Sequence, residues 1–345
     1  MKRLLLAVVA VLVLAAVAAG AWLFLSLERP YRGYTEPEQF VEIPQGSGSA
    51  AMGRRLEDAG VVRSALAFRL AVWMRGVGHR LQAGEYRFDE PLSATAVVER
   101  IARGDVYLLT ITFREGLTIR QMSEVFESRG FGPAAEFVKA AGNASLIEDV
   151  DPAAPNLEGY LFPDTYSLPR RATASQLVER MVAGFRKALT PDIAEAAEAR
   201  GFSVRELVTL ASLIEKETAK PEERELVAAV YSNRLRIGMG MQADPTIIYA
   251  LELLGQYDGN LTRQNMRVDH PYNTYRYAGL PPGPIAAPGR ASLQAAVNPA
   301  DVPYLFFVSR NDGSHIFSTT YDEHRRHVQE WQVRFFQERR NREGH

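Results

Sequence analysis

Cysteine is absent from the 345-residue chain, which excludes disulfides, thiolate metal sites and cysteine nucleophiles. A surplus of positive charge is missing too. Its 40 Lys and Arg are matched by 41 Asp and Glu, for a formal net charge of -1, without the broad basic footprint that nonspecific nucleic-acid binding needs. No residue stands in the context of a nucleophile elbow. His324 and His327 can share a helix face, yet no glutamate or third ligand has metal-site spacing. They are assigned to a solvated tail, and no metal or other cofactor is expected. Gly238-Met-Gly240-Met-Gln-Ala243 imitates a dinucleotide fingerprint but follows a helical pattern instead of a strand, so its glycines read as a helix stop and a turn. What remains, at 46% hydrophobic and 23% charged residues, is an ordinary globular composition. The length allows an anchor plus one large domain or two modest ones.

Charge is also lacking from Leu4 to Leu25, a run made up almost wholly of Leu, Val and Ala. At ~1.5 Å per residue it gives roughly 33 Å of helix, enough to cross a bilayer core. The alternative is a cleaved signal peptide with its cleavage site among Ala15 to Ala21, but signal h-regions span only about 7–15 residues. A retained transmembrane anchor is therefore expected over residues 1–28, with a short cytoplasmic N-terminus. Lys2 and Arg3 precede the run and Arg29 and Arg32 follow it, a weak positive-inside signal. The short N-terminal arm places the N-terminus in the cytoplasm and the rest outside.

Pro30 to Glu42 reads as a polar linker leaving the membrane. Then come a strand-like run, Gly46, an amphipathic stretch with Met52 and Leu56, and Gly60. The same pattern recurs seventy positions later at Gly116, Met122, Phe126 and Gly130. A third helical pattern (Val97, Val98, Ile101, closed by Gly104) follows Leu92-Ser93. Small strand-plus-helix units of this kind suit a LysM-like glycan-binding module over 29–105, although two unrelated strand-to-helix turns would leave the same marks. Val106 to Phe113 has a strand pattern, Pro152 to Pro169 reads as a structured loop, and Gln176 to Arg200 as a helix interrupted near Pro191. Ser203 and Glu206 form a capping-box pattern opening a helix that runs to about Thr218. Pro221 permits another helix, ending at Gly238. Tyr304 to Val308 and His315 to Phe317 read as a hairpin across Asn311-Asp312-Gly313, and a charged helix runs from Asp322 onward. The expected fold class is α+β: a transmembrane helix, the small LysM-like module and a larger α+β domain over 106–345.

The helix from Ser203 brings a carboxylate toward its apolar side. With Ile214 as zero and about 100° per residue, Leu207 falls at ~20°, Leu210 at ~-40°, Glu217 at ~-60° and Glu215 at ~100°. Glu217 is thus nearer the middle of the stripe. A carboxyl held there loses solvation, and its pKa rises toward the range of a general acid at neutral pH. Both glutamates reach the apolar arc, so the angles alone also allow a fraying last turn with ordinary charges.

Residues 207–249, from Leu-Val-Thr-Leu-Ala-Ser-Leu-Ile-Glu-Lys-Glu-Thr-Ala to Met-Gln-Ala-Asp-Pro-Thr-Ile-Ile-Tyr, resemble the signature of the YceG-like endolytic murein transglycosylases. Glu158 to Tyr166, Ala83 to Phe88, Pro271 to Tyr275 and Gly279 to Ile285 match as well, so the resemblance spans nearly the whole chain. It implies that the second glutamate of Glu-Lys-Glu-Thr, Glu217, is catalytic. The same segment is similar to the Glu-Ser helix end of lysozyme-like lytic transglycosylases. The implied reaction cuts the β-1,4 bond after N-acetylmuramic acid without water, one group serving as acid and then as base while a 1,6-anhydro ring closes. Gln242, Asp244, Thr246 and Tyr249, with Asn273, Thr274 and Tyr275, are candidates for holding the sugars; Asp244 is equally placed to cap a helix. The implied partners are peptidoglycan glycan strands and wall synthases. The enzyme would sit in the inner membrane with its C-terminal domain in the periplasm, ending the elongation of nascent strands. Two rivals stay open: a muramidase in which Asp244 or Asp164 activates water opposite Glu217, and a noncatalytic peptidoglycan-binding scaffold.

Overall fold

Glycines at positive φ punctuate the described residues, which in this computed structural model are 2–218, 220–335 and 337. Met1 of the expected anchor and the end of the expected charged tail lie outside them. Helices dominate, with three two-stranded sheets among the described residues. Contacts divide the chain into two units: one runs to Leu109 and includes Ser167–Arg170, the other holds Thr110–Tyr166 and the chain from Arg171 onward.

In the first unit α1 (Lys2–Glu28) contains a stretch long and apolar enough to cross a bilayer. Its Val11, Leu12, Leu14 and Trp22 are all exposed, unlike the residues of a soluble core helix. β1 (Gln39–Ile43), α2 (Ser49–Asp58), α3 (Ala65–Arg75), β2 (Gly84–Phe88) and α4 (Ala94–Arg103) follow. β1 and β2 are antiparallel, with Val41 opposite Tyr86. The strand alternation puts Val41, Ile43, Tyr86 and Phe88 on one face, where Met52, Leu56, Phe68, Val72, Val98 and Ile101 complete the core.

The stretch from Pro30 is tied down, where its polarity had implied a free linker. Tyr31 and Leu92 exchange backbone hydrogen bonds, and the Gly33 N–H donates to the Gly60 carbonyl at 2.7 Å. A Cβ on Gly60 would stand 2.7 Å from Gly33, so the two backbones meet there. Leu27 is buried and the Thr95 hydroxyl donates to Glu28 at 2.8 Å, so the end of α1 is fixed as well. These ties run mostly through backbone groups, which leave no mark in side-chain polarity.

β3 (Leu109–Thr112), shorter than the apolar run that predicts it, starts on the last residue of the first unit's long segment and leads into the second unit. α5 (Ile119–Ser128) and α6 (Ala134–Ala141) follow, then β4 (Thr165–Leu168), whose last two residues are counted with the first unit; β4 pairs with β3. The seventy-residue recurrence holds in local structure: Gly46, Gly60, Gly116 and Gly130 have φ between 69° and 78°. Both copies also run strand, helix, helix, strand. α7 (Ala174–Ala188) and α8 (Pro191–Ala199) divide where Pro191 starts a new helix. α9 (Val204–Glu217) begins at the Ser203–Glu206 capping box. α10 (Arg224–Arg236), α11 (Asp244–Leu253) and α12 (Arg290–Val297) come next. Leu207 to Ile214 of α9 are buried without a break, and α8, α10, α11 and α12 pack around them. This helix is enclosed on all sides, not striped. A hairpin of β5 (Phe306–Ser309) and β6 (His315–Ser318) supports α13 (Tyr321–Val328). The His324 ring stacks on Phe306 at 5.1 Å, and His327 bonds the Ser318 hydroxyl at 2.9 Å. The solvated tail expected for these two histidines is therefore a packed helix, because ring stacking and a short polar bond hold a surface that its charges alone would leave in water.

Candidate active site

Glu217 is the last residue of α9; at Thr218 the chain leaves helical geometry, with φ -135°. Its side chain faces a cavity of about 240 Å³ lined by Arg234, Gln242, Asp244, Tyr275, Phe307 and others. Tyr231, buried on α10, donates its hydroxyl to Glu217 Oε1 at 2.6 Å. Burial pushes the Glu217 carboxyl up to about 7; the Tyr231 bond opposes this, nearby Asp244 adds to it and Arg234 works against it. The side chain keeps some contact with solvent. The cavity supplies that open side, and the desolvation comes from the protein around the rest. A carboxyl in this range can give a proton and take one back near neutral pH.

Glu215 is just as enclosed, with its side chain 7% exposed. Its Oε2 accepts from the Gly289 N–H at 3.0 Å, and Oε1 lies 3.8 Å from Arg224. Helix angles do not separate the two glutamates, since α9 is buried all round. Their bonds do: Glu215 pins a loop and an arginine, while Glu217 keeps one oxygen for the cavity.

Among the predicted sugar-holding residues, Gln242, Asp244 and Tyr275 line that same cavity. Gln242 has φ 51°, a left-handed conformation that costs a non-glycine residue energy and is often kept for function. Asp244 opens α11 without a side-chain cap bond; instead its Oδ1 accepts from the Tyr275 hydroxyl at 2.6 Å. Thr246, Asn273 and Thr274 are buried and do not line the cavity. Thr274 Oγ1 accepts from the Ala243 N–H at 3.1 Å and bonds Thr246 Oγ1 at 2.9 Å, and Asn273 donates to the Met266 and Val268 carbonyls. These three hold the turn that presents Gln242. Tyr249 lies apart, donating to Glu158 at 3.3 Å in a second cavity of about 430 Å³ shared with Tyr272, Arg205 and Pro284. Asp164 accepts from the Thr165 N–H and is not among the residues around Glu217.

Sequence reasoning missed Tyr231 and Arg234. Arg234 is buried, donates to the Leu305 carbonyl at 2.7 Å, and sits 5.4 Å over the Phe306 ring. The available signal was their spacing: three apart, they share a helix face that otherwise carries Val227 and Val230. Phe306, Phe307, Tyr321 and His324 also line the cavity, and nothing in their local pattern ties a distant hairpin to α9. Among the described residues no group of three His, Asp or Glu is arranged to hold a metal ion.

The chain is similar to known proteins along most of its length. The profile of the YceG-like family matches residues 41–330. A protein named endolytic murein transglycosylase from Bacillus subtilis (strain 168) is 28% identical over 324 residues, which is 89% of each chain. One of the same name from Streptococcus pneumoniae serotype 2 (strain D39) is 30% identical over 320 residues, 84% of this chain and 58% of that protein. The crystal structure of a yceG-like protein from Listeria monocytogenes is 30% identical, with a TM-score of 0.58 over 85% of this chain and 99% of that one.

Proposed function

Because the chain belongs to the YceG-like family, we propose that it is a lytic murein transglycosylase that cuts the β-1,4 bond after N-acetylmuramic acid inside glycan strands. The observation that carries this reading is Glu217, a carboxyl pushed up to about 7 and facing a polar cavity. Protonated Glu217 gives its proton to the glycosidic oxygen as the bond from that oxygen to C1 breaks. The resulting carboxylate, stabilised by the Tyr231 hydroxyl, takes the proton of the C6 hydroxyl. The C6 oxygen attacks C1 and closes a 1,6-anhydro ring; Glu217 ends protonated and no water is consumed. Burial pushes Tyr231 well above its ordinary pKa, so it stays a donor throughout.

Gln242 and the Asp244–Tyr275 pair are placed to orient sugar hydroxyl and N-acetyl groups. Thr246, Asn273 and Thr274 act through the turn they hold, and Tyr249 belongs to a more distant part of the strand path. α1 serves as a retained inner-membrane anchor with the rest of the chain in the periplasm. The strand-and-helix unit behind it is a LysM-like glycan-binding module. The enzyme acts on nascent strands beside wall synthases and ends their elongation.

One specific feature favours a second reading, hydrolysis: Asp244 lies in the cavity with Glu217 and could activate water. Digestion of purified sacculi in oxygen-18 water decides between them. Unlabelled anhydro ends, lighter than hydrolysed ends by one water (about 18 Da), are expected, because a tethered C6 hydroxyl outcompetes solvent. Heavy oxygen at new muramoyl ends would sink the transglycosylase reading.

A further inference from the structure

Helix α3 is apolar on two opposite sides. Phe68, Ala71 and Val72 face the core of the first unit. On the other side Leu66, Leu70, Trp73 and Met74 form a second stripe at spacings of four, seven and eight. That stripe is open: Leu66 is 61% exposed, Trp73 80% and Met74 42%. A surface helix of a soluble domain turns charged and polar groups outward, and a large aromatic left bare in an apolar patch marks a contact surface.

Three observations on this unit identify what covers it. The first is position. Arg75, at the end of α3, lies 3.5 Å from Glu28, the last residue of the apolar helix α1. Trp73 is about 3 Å of helix rise from Arg75, and Glu28 is about 4.5 Å of rise beyond Leu25. A headgroup layer is on the order of 5–8 Å deep on each side of the hydrocarbon core, so with Leu25 at the edge of that core the Arg75–Glu28 contact puts the end of α3 within reach of the headgroups. The second is charge: residues 63–80 include Arg63, Arg69, Arg75, His79 and Arg80 and no Asp or Glu. Basic residues beside an aromatic, apolar stripe are the composition of a helix lying on an anionic bilayer. The third is rigidity. Buried Leu27, the Thr95–Glu28 bond and the Tyr31–Leu92 pair fix α1 to the unit, so α3 does not drift away from the point where α1 leaves the membrane.

We propose that the outer face of α3 rests in the leaflet where α1 ends, with Trp73 at the boundary of headgroups and acyl chains and Arg69 and Arg80 on anionic headgroups. The inference rests on α1 being a retained anchor and goes beyond it, making the first unit a body that lies on the bilayer.

The test uses the full-length protein in phosphatidylethanolamine–phosphatidylglycerol vesicles. Its three tryptophans allow two single-tryptophan variants: W22F/W331F retains Trp73, and W73F/W331F retains Trp22. Each is read with spin labels placed near the headgroup or deep in the acyl chains. Trp73 should be quenched about twofold more by the shallow label than by the deep one, as for an interfacial helix. Its access to iodide should fall as the phosphatidylglycerol content rises. A M74W/W22F/W73F/W331F variant repeats the reading from the neighbouring position should the first pair fold poorly. Trp22 quenched by the deep label while Trp73 ignores both labels and stays open to iodide overturns the proposal and leaves the anchor standing. If Trp22 is not quenched either, the anchor and the proposal fall together. Trp73 shielded from iodide but unquenched by lipid means that a protein surface covers α3, which also overturns it.

Discussion

An unperturbed glutamate titrates near 4.5, whereas in the fold Glu217 is pushed up to about 7. The folded state therefore holds this proton more tightly than the unfolded chain does. Stability is undiminished below about 4.5, falls as pH rises to about 7 and is flat beyond. At ~1.4 kcal/mol per pKa unit, discounted for the side chain's partial contact with solvent, the ionised carboxyl costs on the order of 2 kcal/mol. Glu217→Gln should thus unfold at higher urea than the parent at pH 8 and at equal urea at pH 4, while its turnover falls roughly 10²–10⁴-fold. Equal stability of the two proteins at pH 8 would mean that the carboxyl titrates normally. The parent's kcat/KM should decline as pH rises through about 7. Tyr231→Phe removes the donor that stabilises the carboxylate, so that limb should move to higher pH as kcat drops. Glu215→Gln keeps an acceptor for Gly289 but loses the charge beside Arg224. It should cost about 1–2 kcal/mol of stability and spare most turnover. At this scale the sequence pointed to Glu217 largely by its motif. Its partner Tyr231 was hidden, because an aromatic on a core helix reads as packing until the neighbouring helix is in place.

Elements were legible wherever a local rule governs them. The capping box at Ser203, the break at Pro191 and the β5–β6 hairpin follow from residues within one turn of each other. The enclosure of α9 was not legible, since Thr209 and Ser212 interrupt its apolar run while lying fully inside. Ser212 earns its place by accepting from the Ile285 N–H at 3.1 Å, a contact seventy-three positions away. Glycines show the same divide. Gly46 and Gly159 have similar φ, 78° and 84°, but a Cβ on Gly46 meets nothing within 4 Å, whereas one on Gly159 would stand 2.4 Å from Pro284 and 2.9 Å from Val208. Gly46→Ala should cost about 1 kcal/mol through backbone strain alone. Gly159→Ala should cost several times as much, because the Glu158–Tyr166 segment would have to withdraw from α9. Urea melts of the two variants test this; equal losses would mean that only φ matters.

For the whole molecule, the expected result of carbonate washing is retention in the membrane pellet, with protease reaching the C-terminus only from the periplasmic side. A soluble periplasmic product lacking the first residues would remove the anchor. The apolar run of α1 was plain in the sequence; the fastening at its end was not, since a backbone bond between Gly33 and Gly60 has no compositional trace. That fastening has a consequence for where the enzyme can work. Ten loose residues between α1 and β1 would make a leash, letting the attached unit wander about 17 Å. Residues tied at Leu27, Tyr31 and Gly33 instead make a post: with α1 in the bilayer, the first unit can spin about the membrane normal and glide in its plane, but it cannot rise. If the first unit is the proposed glycan-binding module, strands are then sorted by altitude before any sugar is recognised, and a glycan that has left the layer next to the membrane is out of its reach, however well it would fit.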